Sequence, residues 1–169
     1  MCNIPNLLSL SRIFFALGLL YPDPFFRACM VLCAGVSDFL DGFLARKLGQ
    51  TSRLGTILDP ITDKLFVGVA LALFFFESKL TPFEIVLFLL RDISLLLFTC
   101  YLAATRGLSS WKVRSFFCGK MHTTCQFIAL ILLSLGYRLP AALLWAFAFF
   151  GMGSFFELMY LRFVNTSKL

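Results

Sequence analysis

The run DFLDGFLARKLGQTSRLGTILDPITDKL, from Asp38 to Leu65, carries four aspartates, at positions 38, 41, 59 and 63. It holds nearly half of the nine acidic residues of a 169-residue chain, with long apolar runs on both sides. A carboxylate beside hydrocarbon is costly, so four of them gathered here call for a chemical reason. The run also settles the fold. Its ends continue into apolar helices, and its middle, 46–53, is a short basic connection holding Arg46, Lys47 and Arg53.

Working outward, the whole chain is 60% hydrophobic and only 14% charged, with mean hydropathy +0.89. Soluble domains run near 45–50% apolar and about 25% charged. There is too little polar surface here to cover a water-facing globule, so the composition reads as a membrane protein in one domain, 1–169. The six cysteines, at 2, 29, 33, 100, 118 and 125, lack zinc-type spacing and mostly lie in apolar runs, where a thiol packs as a small hydrophobe. The first apolar run has neither a basic leader nor a small-residue cleavage site, so it is expected to stay in the mature protein.

Six helical spans are expected, at about 5–21, 25–47, 53–77, 81–106, 118–137 and 140–164. A spanning helix needs about 20 residues. The first span reaches that only with its polar start (Asn6, Ser9, Ser11, Arg12), or else lies partly in the interface. The connections 46–53 and 106–120 hold Arg46, Lys47, Arg53, Arg106, Lys112, Arg114 and Lys120, and the tail adds Arg162 and Lys168. The opposite connections hold Arg27, Lys79 and Arg138. This asymmetry places both termini and the two basic connections in the cytoplasm. It accounts for most of the +6 net charge, so the charge points to a bilayer and not to a nucleic acid.

On this topology the aspartates converge. Asp38 and Asp41 fall in the last turns of the second span, and Asp59 and Asp63 in the opening turns of the third. Their i, i+3 and i, i+4 spacings put each pair on one helix face. Gly42 and Ala45 share the first face. Gly55 lies one turn before Asp59, and these small residues leave room for backbone or a bulky substrate. Pro60 leaves two geometries open: Asp59 caps a helix that begins there, or a helix begun near Arg53 continues through the proline. Four close carboxylates repel one another, and divalent cations resolve the conflict. Oxygen ligands without His or Cys suit Mg²⁺, Mn²⁺ or Ca²⁺, and four carboxylates suffice for two ions. Two-metal sites commonly clamp phosphoryl displacements. A transporter's acidic ion site is the competing reading, although such sites lie near the bilayer midplane between repeated halves, and the halves here are unlike.

The spacing Asp38-x-x-Asp41-Gly42-x-x-Ala45-Arg46, then eight residues, then Gly55-x-x-x-Asp59-x-x-x-Asp63 resembles the signature of the CDP-alcohol phosphotransferase family. A chance match is on the order of 10⁻¹⁰ per starting position at ordinary residue usage. NIPNLLSLSR near the start, LLRD around Arg91 and Asp92, and CGKMHTTCQ across Lys120 and His122 resemble blocks of its phosphatidylglycerophosphate synthases. Asp92 and His122 depart from the pattern, standing where the family often has Glu and Lys.

The resemblance implies an all-α fold of six transmembrane helices in a homodimer. It also implies transfer of a phosphatidyl group from CDP-diacylglycerol to an alcohol, with release of CMP. Glycerol 3-phosphate is the expected acceptor; phosphatidylglycerol, as in cardiolipin synthases of this type, is the alternative. Asp38, Asp41, Asp59 and Asp63 would hold two Mg²⁺ or Mn²⁺ ions, with Asp63 also the general base. Asp41, Gly42, Ala45, Arg46 and Gly55 would border the CDP moiety. Arg91 and Lys120, then Arg114 and Arg12, are the candidates for the acceptor's phosphate. Arg91 stands out because a guanidinium in an apolar run is costly facing lipid. Thr123, Thr124 and Gln126 are read as contacts to the acceptor or between helices.

Overall fold

The computed structural model describes residues 4–48, 53–104 and 117–166, and the side chains of 10–40, 61–98, 100–101 and 118–160. These residues form six α-helices and no strand: α1 (Ile4–Gly18), α2 (Pro24–Leu48), α3 (Arg53–Phe76), α4 (Pro82–Ala104), α5 (Phe117–Ser134) and α6 (Ala141–Thr166). All six expected helices are present, with ends within a few residues of the expected ones.

Local chemistry explains the ends. Before α2, Asp23 Oδ1 accepts the Phe26 N–H at 2.8 Å, and Pro24 takes the first helical position, where no N–H is needed. Before α4, Thr81 and Glu84 form a capping box. Glu84 Oε2 accepts the Thr81 N–H at 2.7 Å, and Thr81 Oγ1 accepts the Glu84 N–H at 3.3 Å. After α5, Gly136 has φ +89°, and Tyr137 N–H reaches back to the Leu132 carbonyl at 3.0 Å. After α3 the same closure is made without glycine. Ser78 sits at φ +57°, and Lys79 N–H bonds the Phe74 carbonyl at 2.9 Å.

The chain divides into two compact units, residues 1–80 with 127–138 and residues 81–126 with 139–169. In the first, α1 packs against both α2 and α3. Its buried layer is Ala16, Leu19, Val31, Ala34, Phe66, Ala70 and Phe74, joined by Leu130 and Leu133 of α5. A polar cluster ties one end of this unit. Arg27 donates from Nε to the Tyr21 carbonyl at 2.7 Å and pairs with Glu77 at 2.7 Å; Glu77 in turn pairs with Lys79 at 2.9 Å. Lys79 also donates to the Leu133 carbonyl at 3.5 Å.

In the second unit α4 packs against α6. Phe88 and Phe147 are fully buried, with ring centroids 5.0 Å apart. Among the described residues, one helix, over Ala141–Tyr160, is long and apolar enough to cross a membrane. Trp145, Phe149, Phe156 and Tyr160 recur along it at helical spacing and are all exposed.

Candidate active site

Within the first unit, Asp38 lies fourteen residues into α2, about 21 Å along the helix from Pro24. Its carboxylate is half exposed, and Oδ1 lies 2.9 Å from NH2 of Arg12, whose side chain is 1% exposed. One residue earlier on each helix, Ser11 Oγ and Ser37 Oγ are 3.3 Å apart. Asp41, Gly42, Ala45 and Arg46 follow on the same helix, with side chains outside the described set.

Gly55, Asp59 and Asp63 all lie on α3, and the helix runs unbroken through Pro60. That resolves the choice the proline left open. Gly55, Asp59 and Asp63 are successive turns of one helix, so they share a face. Proline has no N–H to offer the carbonyl one turn back, a local weakness this helix tolerates. Asp63 is half buried, while the side chain of Asp59 is outside the described set. Among the described residues no three acidic, His or Cys side chains gather as a metal site, a set that leaves out Asp41 and Asp59.

Within the second unit, Arg91 of α4 is half buried. Its guanidinium lies on the backbone of Gly119 in α5, so close that a Cβ there would meet Nε at 3.0 Å and Cζ at 3.4 Å. Lys120 is exposed. His122 is fully buried with its ring 5.3 Å from that of Phe147, and neither ring nitrogen has a hydrogen-bond partner among the described residues. Arg114 lies outside the described residues.

The three polar residues read as acceptor or helix contacts separate cleanly. Gln126 bridges helices, donating from Nε2 to the Phe88 carbonyl at 2.8 Å. Thr123 and Thr124 donate instead to the Lys120 carbonyl of their own helix, at 2.8 and 3.1 Å. What the motif reading missed is the partner of Asp38. Arg12, one of the acceptor-phosphate candidates, is buried and paired with this motif aspartate. The available signal was the polar start of an otherwise apolar helix.

Charge at Glu77, just past α3, illustrates the opposite end of the first unit. Burial alone would raise its carboxyl, but hydrogen bonds from Lys79 and Arg27, with their positive charges, hold it below the ordinary value.

Sequence comparisons agree with this arrangement. A profile described as CDP-alcohol phosphatidyltransferase matches residues 2–153. The chain is 38% identical over 140 residues to a CDP-diacylglycerol–glycerol-3-phosphate 3-phosphatidyltransferase of Aquifex aeolicus (strain VF5), covering 79% of this chain and 75% of that protein. Proteins of the same description from Pectobacterium atrosepticum and Escherichia coli K12 are 36% and 35% identical. The first spans 78% of this chain and 76% of the relative, the second 76% and 74%. The match runs through both aspartate pairs and both units, and the chain belongs to the CDP-alcohol phosphatidyltransferase family.

Proposed function

We propose that this chain transfers the phosphatidyl group of CDP-diacylglycerol to glycerol 3-phosphate, giving phosphatidylglycerophosphate and CMP. The observation that carries the reading is the placement of the motif on two consecutive helices. Asp38 and Asp41 are i, i+3 on α2, and Asp59 and Asp63 are i, i+4 on an unbroken α3. The names of the relatives supply the donor and acceptor.

The donor set fits hard divalent ions: four carboxylates, without thiol or imidazole, on two helices. The Asp38 carboxylate is also half exposed, although it is paired with Arg12. Asp38, Asp41, Asp59 and Asp63 would hold two Mg²⁺ or Mn²⁺ ions, whose positive charge would offset that of the pyrophosphate.

The chain's own residues do the rest. Asp63 takes the proton of the acceptor hydroxyl as that oxygen bonds to the phosphorus carrying diacylglycerol. The bond from this phosphorus to the bridging oxygen breaks, and the electron pair leaves with CMP. Gly42, Ala45 and Gly55 leave space for the nucleotide beside Asp41, and Arg46 offers a planar fork to its phosphates. Arg91, Lys120 and Arg114 receive the acceptor's phosphate. Large apolar side chains exposed on the described helices support the bilayer-spanning part of this reading, and the basic connections 46–53 and 106–120 support a cytoplasmic site with both termini on that side; six spans and a homodimer in the inner membrane complete the proposal.

The test uses membranes containing the chain, CDP-diacylglycerol, Mg²⁺ and labelled glycerol 3-phosphate. Label is expected in the lipid phase, matched by released CMP. Folded protein that leaves glycerol 3-phosphate unlabelled in lipid, but converts labelled phosphatidylglycerol to cardiolipin, would overturn the acceptor.

A further inference from the structure

The seam between α1 and α2 pairs two successive polar residues on each helix, Ser11 with Ser37 and Arg12 with Asp38. Arg12 and Ser37 are buried. Such a pair is a weak way to stabilise a helix contact, because apolar residues of similar volume usually do as well or better. Its asymmetry points elsewhere. The Arg12 side chain is 1% exposed, whereas that of Asp38 is 49% exposed. A pair serving only to neutralise a buried arginine would seal both partners. Here the cation is sealed, and the carboxylate it holds is half exposed. A guanidinium is suited to this task, since its flat fork fixes direction and its charge is permanent.

We propose that Arg12 is a positioning residue for the transfer reaction: by holding Oδ1 of Asp38 at 2.9 Å, it fixes the orientation in which this carboxylate meets the divalent cation. The inference rests on the reading of Asp38 as a metal ligand. It removes Arg12 from the acceptor's pocket, because a guanidinium sealed between helices and engaged by a carboxylate is not available to a soluble phosphate. Groups that orient a metal's ligands are worth about 10–100-fold in affinity or activity.

The test uses the full chain purified in detergent as wild type, Arg12→Met, Arg12→Lys and Asp38→Asn. Mn²⁺ binding in the presence of CMP is followed by loss of the free-ion electron paramagnetic resonance signal, beside steady-state kinetics in mixed micelles. Arg12→Met is expected to weaken Mn²⁺ binding and lower kcat by about 10–100-fold, leaving the KM for glycerol 3-phosphate unchanged. Arg12→Lys, which keeps the charge and loses the fork, recovers part of both. Mn²⁺ affinity and kcat within about threefold of wild type in Arg12→Met would overturn the proposal. So would a rise in the KM for glycerol 3-phosphate alone, which would return Arg12 to the acceptor. Should Arg12→Met fail to give monodisperse helical protein, Arg12→Gln is read by the same criteria. Asp38→Asn separates the two layers: if it binds Mn²⁺ as tightly as wild type, the metal-ligand reading of Asp38 fails whatever Arg12 does.

Discussion

Glu77 shows what a single side chain does away from the chemistry. It receives Arg27 and Lys79, which reach in turn to the Tyr21 and Leu133 carbonyls, so one carboxylate ties four chain segments. Its carboxyl lies below the ordinary 4.5 in the folded protein. The unfolded chain therefore binds the proton first as pH falls. The stabilisation is fully present above the ordinary value and is lost as pH drops through the folded one. Glu77→Gln is expected to lower the unfolding temperature in detergent at pH 7, and the gap to wild type should close as the medium is acidified. A gap that persisted unchanged in acid would show that the pairings contribute little. At this scale the motif was legible in the sequence because helical spacing is local: Asp38 and Asp41, or Asp59 and Asp63, need only one helix each to share a face. Partners were not legible. Arg12 meets Asp38 only because α1 packs on α2, and His122 is buried against Phe147 only because the second unit closes over it.

Helices carry the next level. Their starts were readable where a cap has sequence chemistry, as at Asp23-Pro24 and Thr81-Pro82 with Glu84, whereas the fifth span was expected to run to 137, past the Gly136 turn that follows the end of α5 at Ser134. The end of α3 was less readable, since Ser78 takes a left-handed conformation that glycine usually marks. The passage of α3 through Pro60 was undecidable from residues alone, because a proline suits both a first turn and a tolerated interruption. Packing between helices was the least legible, and glycines test it. A Cβ on Gly151 of α6 would meet Leu90 of α4 at 2.8 Å from Cδ2 and 3.0 Å from Cβ. The Cβ contact is too near the backbone to rotate away, so Gly151→Ala is expected to push α4 and α6 apart and cost about 1–3 kcal/mol. Gly68 of α3 has nothing within 4 Å of its missing Cβ. Gly68→Ala is expected to stabilise by about 0.5–1 kcal/mol, through reduced backbone freedom in the unfolded chain. Denaturant titration in one detergent checks both. Equal effects of the two substitutions would contradict close α4–α6 packing.

For the molecule as a whole, composition was the strongest guide. An apolar fraction of 60% leaves too little polar surface for water, and the described helices accordingly expose many large hydrophobic side chains, with the Ala141–Tyr160 segment mostly uncovered. The proposed metal-dependent transfer would explain why four of the nine acids lie in the one run from Asp38 to Asp63. That claim is tested most directly by one comparison: transfer of labelled glycerol 3-phosphate into lipid by membranes bearing wild type or Asp63→Asn, each with Mg²⁺ and with excess chelator. The account predicts that chelation abolishes transfer by wild type, that Mg²⁺ restores it, and that Asp63→Asn lowers it about 10²–10⁴-fold at equal protein. Transfer that survives chelation, or an Asp63→Asn variant as active as wild type, would contradict it.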